Sequence, residues 1–394
     1  MAAIVPVMTP RRYILLVLLL VVCLHYILSI SFESYGSIAS LSNLGGHLEV
    51  PSGSLSTEQD FVGAAPATHS TTLPNLSYNT SHGYERANAT FVFLCRNSDL
   101  EGVVSSIQQV EDRFNKKFHY PWVLLNEEPF TDEFKMRVSV LTSGPISFGL
   151  IPREHWVQPD WIDENRARKG RLSMMAQRII YGGDYRNMCR FNSGFFFRHE
   201  LLQQYKYYWR VEPDVKFFCD VDYDVFKYME ENGKIYGFVI SLYEWEPTIP
   251  SLWSTVKEFI EEHPEYVSPQ NSMDFLSDNG GENYNLCHYW SNFEIADMDF
   301  WRGEQYQAFF NYLEAKGGFY YERWGDAPIH SMAASLFARK DQVHFFRDIG
   351  YRHEQIQRCP VGELWGAGRC ACNPSDSFDY HDNSCIRRFE SLFA

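Results

Sequence analysis

Between Phe91 and Pro152 the chain alternates short apolar runs with amphipathic stretches, and few architectures accept that order. Phe91 to Cys95 is an apolar run that reads as a buried strand. Ser98 and Glu101 have the spacing of a capping box. Leu100, Val103, Val104, Ile107, Val110 and Phe114 follow at helical spacing. Trp122 to Leu125 reads as a second strand, Thr131 as the cap of a second helix, and Ile146 to Ile151 as a third strand ended by Pro152. Strand–helix–strand–helix–strand predicts parallel pairing with right-handed crossovers. Ligands of such sheets bind beyond the carboxyl ends of the strands, and Arg96 falls at one of those ends.

What precedes this pattern has a different character. Arg11 and Arg12 are followed by Tyr13 to Ile30, a run without a charge. At 1.5 Å per residue, a helix of that length just crosses the hydrocarbon core. Two arginines before the run and Glu33 after it predict a cytoplasmic tail at 1–12, an uncleaved signal-anchor at 13–30 and a lumenal remainder. A cleaved secretory signal is the competing reading, but the run is long for one and ends in no small-x-small site. Residues 31–87 are rich in Ser, Gly, Thr, Ala and Asn. They hold too little apolar area to offset the entropy of ordering, which predicts a flexible stem before a catalytic domain at 88–394. Sequons at Asn75, Asn79 and Asn88 suit a lumenal location. The net charge of −15 argues against a broad nucleic-acid surface, while leaving room for a local diphosphate pocket.

Nine cysteines are present, and Cys23 lies in the expected span. The other eight predict disulfides in an oxidising lumen, with connectivity open. Cys359, Cys370, Cys372 and Cys385 suggest a disulfide-stapled tail more than a metal knuckle.

Four segments hold candidate chemistry. In Tyr207-Tyr-Trp-Arg-Val-Glu-Pro-Asp214 an apolar strand runs into Glu212 and Asp214, hard oxygen ligands that suit Mg²⁺ or Mn²⁺. Nearby Arg210 can pair with a phosphate or a carboxylate. Asp220-Val-Asp222-Tyr-Asp224 offers a similar acidic pattern, but it opens a helix at Val225 to Met229 and reads as structural. Glu294, preceded by Asn292 in an aromatic segment, is placed to act as a nucleophile or to stabilise an oxocarbenium ion. Asp326 can cap the helix that Pro328 begins, or bind sugar hydroxyls. His353 offers an imidazole, which suits Mn²⁺ better than Mg²⁺. Gly182 to Asn187, with Asn192 to Gly194, reads as a glycine-flanked polar loop that includes Tyr185.

In this order the segments Phe-Val-Phe-Leu-Cys-Arg96, Tyr-Trp-Arg-Val-Glu212-Pro-Asp, Cys-His-Tyr-Trp-Ser-Asn-Phe-Glu294-Ile, Arg-Trp-Gly-Asp326-Ala-Pro and Tyr-Arg-His353 resemble the fungal α-1,2-mannosyltransferase family, glycosyltransferase family 15. The resemblance covers nearly all of residues 88–360. It implies a GT-A-like, Rossmann-type α/β fold with a mixed sheet flanked by helices, GDP-mannose as donor, Mn²⁺ as cofactor and retention of configuration. It further implies Glu212 and His353 as metal ligands, Glu294 as the proposed nucleophile, and Arg96, Tyr185, Arg210 and Asp326 as donor or acceptor contacts. The expected protein is thus a Golgi, single-pass type II α-1,2-mannosyltransferase that acts on O- or N-linked mannosylated glycans. A membrane-anchored lectin would share the anchor and an aromatic cleft, but would not need Glu294 and a metal site together. A related transferase with another linkage is the nearer rival.

Overall fold

The computed structural model describes residues 85–179 and 183–394. The expected anchor, Asn75, Asn79 and all but the end of the expected stem lie outside these residues. No helix among the described residues is long and apolar enough to cross a membrane. Asn88 is exposed at the entrance to the first strand.

The alternating segment folds as β1 (Ala89–Leu94), α1 (Leu100–Val110), β2 (Trp122–Asn126), α2 (Asp132–Ser139) and β3 (Ile146–Leu150). β2 pairs in parallel with both β1 and β3. Thr131 caps α2 as expected, its hydroxyl accepting the Phe134 N–H at 3.1 Å. The expected capping box at Ser98 and Glu101 does not form. Asp99 instead accepts the Arg96 N–H at 2.8 Å and closes a 3₁₀ turn. Glu101 is drawn sideways into an ion pair with Arg137 of α2.

α3 (Gly183–Gly194) follows, then β4 (Tyr207–Val211), β5 (Lys216–Phe217) and α4 (Val225–Glu231). The polar loop expected around Tyr185 is therefore helix. Asp184 in its first turn suits the helix dipole. Gly194 at its end lets the backbone lie against the Phe310 ring. The acidic run before α4 is structural, as expected. Asp220 pairs with Arg113 at 2.6 Å and with Arg369, Asp222 pairs with Lys117, and Asp224 caps α4 through the Phe226 and Lys227 N–H groups.

β6 (Tyr236–Phe238), β7 (Ser241–Tyr243), β8 (Cys287–Tyr289), β9 (Glu294–Asp297), α5 (Glu304–Lys316), α6 (Asp326–Phe337) and β10 (Val343–Phe345) complete the central layers. The main sheet has the order β10-β6-β9-β4-β1-β2-β3. β9 runs antiparallel to both of its neighbours, which makes the sheet mixed. Its amino end therefore lies at the carboxyl end of β4, and Glu294 is registered against Arg210. Side chains alternate faces along each strand. Phe91, Phe93, Trp122, Leu124 and Trp209 enter one core, while Val92, Val123, Leu125 and Tyr208 enter the other.

A small sheet, β12-β11-β5, joins β11 (Tyr351–His353) and β12 (Ile356–Arg358) to the strand that follows Glu212-Pro213-Asp214. This pairing carries His353 back to the edge where β4 ends. The tail is stapled by Cys219–Cys370, Cys287–Cys385 and Cys359–Cys372, which agrees with the disulfide reading; Cys95 and Cys189 are free and buried.

Replacing Gly194 tests how α3 is seated. An added methyl group would fall inside the Phe310 ring in the buried core. Gly194→Ala is expected to cost about 1–3 kcal/mol and to lower the thermal unfolding midpoint. A midpoint at or above the wild-type value would contradict the packing.

Candidate active site

On β4 the period-two alternation puts Tyr208 and Arg210 on one face, with Glu212 just beyond the strand end, while Tyr207, Trp209 and Val211 fill the opposite core. Arg210 is buried, and its guanidinium reaches carboxylates on both sides. Nε donates to Glu212 Oε1 at 2.8 Å, and Nη1 donates to Asp326 Oδ2 at 2.6 Å. The Ser291 hydroxyl donates to the same Asp326 oxygen at 2.7 Å. Burial by itself would lower the arginine pKa, but Glu212, Asp326 and Glu294 hold it well above the ordinary value. Burial would likewise raise the Asp326 pKa, but Arg210 holds it below the usual carboxylate range. Asp326 is the first residue of α6, and Gly325 occupies the cap position, so the expected capping role does not apply. Its side chain is committed to Arg210 and Ser291.

Glu294 opens β9 with no solvent exposure. Tyr208 donates to Oε1 at 2.7 Å, Tyr236 to Oε2 at 3.1 Å, and His330 Nδ1 contacts Oε2 at 3.0 Å. Trp301 Nε1 donates to the Tyr208 hydroxyl at 3.0 Å and its indole stacks on the His330 ring. Burial and the Glu294 charge both raise the Tyr208 and Tyr236 pKa values, so both hydroxyls stay protonated as donors. A gap of about 10 Å³, enough for one water at most, is bordered by both Glu294 and Arg210.

Five of the seven expected site residues line one cavity of about 330 Å³: Tyr185, Arg210, Glu212, Asp326 and His353. Arg96 lines an adjoining cavity of about 370 Å³, where it pairs with Glu127 at 3.2 Å and Asp184 at 3.4 Å. Tyr185, Met188 and Glu212 border both spaces, which makes them two arms of one cleft. Glu294 lines neither arm, while Arg210 borders both the second arm and the small gap at Glu294.

The acidic pair Glu212–Asp214 separates. Asp214 adopts a left-handed backbone with φ of 59°, and its N–H bonds to Gly102 O at 3.2 Å. Its carboxylate packs against Gly102 on α1, leaving Glu212 alone at the cleft. His353 lines the same cavity. Its Nδ1 lies 3.4 Å from Asn292 Nδ2, a contact long enough to leave the ring available, and its ring meets Trp290 edge-on. Among the described residues no group of three or more His, Cys, Asp or Glu side chains is arranged to hold a cation. One carboxylate and one imidazole do fit a cation that takes its other ligands from a diphosphate and water, the usual arrangement for nucleotide-bound metals.

Reasoning from the sequence missed Tyr236, His330, Ser291 and Trp301, which meet this network from four separate segments. Tyr208 alone had a local signal, the alternation Tyr208–Arg210–Glu212.

A mixed α/β sheet with a two-armed cleft at its strand ends, bordered by a carboxylate and a histidine, is the architecture of a glycosyltransferase. The family model described as Glycolipid 2-alpha-mannosyltransferase matches residues 55–393, and the chain belongs to that family. It is similar to the alpha-1,2 mannosyltransferase KTR1 of Saccharomyces cerevisiae, with 54% identity over 78% of this chain and 79% of the relative. It is also similar to the O-glycoside alpha-1,2-mannosyltransferase omh1 of Schizosaccharomyces pombe, with 46% identity over 98% of this chain and 96% of the relative. Among solved structures it resembles the mannosyltransferase Ktr4p from S. cerevisiae in complex with GDP. That match has 44% identity and a TM-score of 0.74, covering 78% of this chain and 82% of that one. It resembles equally Core-mannan synthase A from Aspergillus fumigatus in its Mn/GDP form, with 43% identity and a TM-score of 0.73 over 78% and 86%.

The Asp326–Arg210 pair sets an acid dependence. Because the folded pKa of Asp326 is depressed, its stabilisation is fully present above the unfolded value of about 3.9 and is lost as pH falls through the lower folded value. Asp326→Asn is expected to cost about 3 kcal/mol at pH 7, measured by urea unfolding. The gap from wild type should narrow as pH drops below about 4. A gap that stays constant with pH would exclude a charged Asp326 in the fold.

Proposed function

We propose that this chain is a retaining α-1,2-mannosyltransferase that moves mannose from GDP-mannose to the terminal mannose of a glycoprotein glycan, O-linked or N-linked. The observation that carries the reading is the meeting of two arms at Tyr185 and Glu212. A transferase needs one arm for the nucleotide and another for the acceptor, with the transferred sugar where they join. A lectin needs one. In this reading Arg96 faces the nucleotide arm and Glu212 and His353 would hold Mn²⁺. When bound, that ion neutralises the diphosphate and makes GDP a competent leaving group.

Arg210 and Asp326 line the second arm beside the junction, and Tyr185 borders both arms. Departure of GDP leaves positive charge on the mannose ring. The carboxylates clustered around Arg210 favour that charge electrostatically, with no reorganisation at the moment of reaction. Glu294 contributes from behind Arg210, since both of its oxygens already accept hydrogen bonds from Tyr208, Tyr236 and His330. This placement favours same-face attack by the acceptor 2-hydroxyl within an ion pair over a covalent mannosyl–Glu294 intermediate. The 2-hydroxyl bonds to C1 as the bond from C1 to the GDP oxygen breaks, its proton passes to that departing phosphate oxygen, and retention follows because the acceptor enters on the face that GDP leaves.

The topology belongs to the same proposal. Residues 13–30 anchor the chain as a single-pass type II protein of the Golgi membrane, with 1–12 cytoplasmic, 31–87 a stem and 88–394 the lumenal catalytic domain. Three disulfides in the described residues and the sequons suit an oxidising, glycosylating compartment.

A donor panel tests the reading. Each nucleotide sugar is supplied with Mn²⁺ and α-methyl mannoside, and only GDP-mannose is expected to give a disaccharide, linked α-1,2. Product from another donor, or none from GDP-mannose, refutes the assignment. Glu294→Gln keeps the shape but removes the charge. It is expected to depress kcat by at least tenfold while the KM for GDP-mannose moves less than threefold, about 1.4 against 0.65 kcal/mol. Equal losses in both would make Glu294 purely architectural.

A further inference from the structure

Far from the cleft, the main sheet ends at β10, with no strand beyond it. The register with β6 commits alternate residues of this strand. The Phe346 N–H donates to Phe238 O at 3.0 Å, so His344 shares its inward side, and the backbone groups of Val343 and Phe345 turn outward. The Val343 N–H bends back to Lys340 O. The Val343 carbonyl and both backbone groups of Phe345 have no hydrogen-bond partner among the described residues. An open edge recruits another strand unless it is covered or carries a charge or a proline. Val343-His344-Phe345 carries no proline and no acidic or lysine side chain.

A cavity of about 570 Å³, larger than either arm of the cleft, borders this edge. On one face of the sheet the Tyr228 ring of α4 lies 4.7 Å from the His344 ring. On the other, Phe389 of α7 (Ile386–Ser391) packs on Phe345, and Phe393 packs on Phe389 at 5.4 Å. Phe393 lines the cavity yet is 52% exposed. The charges that line the cavity balance. Lys234 donates to the Asp341 carbonyl at 2.6 Å, Arg347 pairs with Glu390 at 3.0 Å, Asp341 pairs with Arg339 at 3.0 Å, and Asp348 accepts from the Tyr223 hydroxyl. Burial lowers the His344 pKa to about 4, so that ring is neutral at pH 7. Aromatic walls without surplus charge do not select a phosphate. A floor of unpaired strand backbone matches the repeat of another polypeptide, which sugar hydroxyls do not follow.

We propose that this groove is a second binding site, in which an extended, neutral segment of the acceptor glycoprotein's polypeptide adds as a strand to the open edge of β10. The assignment rests on the functional reading above and adds that the enzyme selects the polypeptide as well as its glycan. β10 stands three places from β4 in the sheet and runs in the same direction, since β6 and β4 are both antiparallel to β9. At about 4.8 Å per strand the two lie roughly 14 Å apart. A glycopeptide held along β10 therefore keeps its own mannose concentrated near the cleft.

The test is steady-state transfer by the detergent-solubilised full chain with GDP-mannose and Mn²⁺. One acceptor is α-methyl mannoside, and the other is a peptide of about ten alternating Thr and Val residues bearing one O-linked α-mannose. The glycopeptide is expected to show a KM about tenfold below that of α-methyl mannoside. N-methylation of alternate amides in the peptide, which removes its main-chain donors, is expected to abolish that advantage. Phe393→Ala is expected to remove most of it while leaving the KM for α-methyl mannoside within about twofold of wild type. Equal KM values for the two acceptors in the wild type overturn the assignment, and so does an advantage that survives N-methylation or Phe393→Ala. Loss of the advantage on adding free mannotriose would place a glycan in the groove, and a dimer that Phe393→Ala splits on sedimentation would place a second copy there; either result overturns it. An enzyme that transfers mannose to neither acceptor overturns the functional reading itself and the assignment with it.

Discussion

Arg210 is a full positive charge held in the interior by carboxylates from separate parts of the chain. Glu212 follows it on the same strand, Asp326 begins a helix more than a hundred residues later, and Glu294 lies opposite it on β9. A lone buried guanidinium would be strongly unfavourable, and so would three buried carboxylates. Together they are compensated, and the compensation ties β4, β9 and α6 to one point. The antiparallel insertion of β9 is what makes this possible, because only that direction brings Glu294 to the end of β4 rather than to its start.

The cleft follows from the same knot. With Arg210 occupied from below, Glu212 is held at the rim and Asp214 is turned away onto α1. β11 then closes from the side through its pairing with β5, and His353 reaches the cavity that Glu212 also lines. The tail disulfides stiffen that wall: Cys219 lies just after β5, and Cys359 just after β12. The outcome is a junction between two arms that share Tyr185, Met188 and Glu212.

Much of this was legible from residues alone, and for identifiable reasons. The elements from β1 to β3 fell within a residue or two of where periodicity placed them, since short-range pattern decides buried strands and amphipathic helices. Thr131 could be read as a cap, and the acidic run before Val225 as structural, because capping and the helix dipole are local. The failures were equally physical. Ser98 and Glu101 have capping-box spacing, but Arg137, distant in sequence, offered Glu101 a charged partner. The segment around Tyr185 looked like a loop partly because of Gly194, which is there to let the end of α3 pack on Phe310, a demand set by tertiary structure. The donors around Glu294 come from β4, β6 and α6, and no spacing in the sequence announces their convergence.

At the centre stands one claim, that the Arg210 knot presents Glu212 and His353 together as the only protein ligands of a diphosphate-bound cation. Anomalous diffraction at the manganese edge, from crystals of this protein grown with Mn²⁺ and GDP, addresses it directly. The account predicts a single strong peak where the two arms meet, ligated by the Glu212 carboxylate and the His353 imidazole. A peak at Asp220, Asp222 or Asp224 instead, or one at the junction that either Glu212 or His353 does not touch, would contradict it.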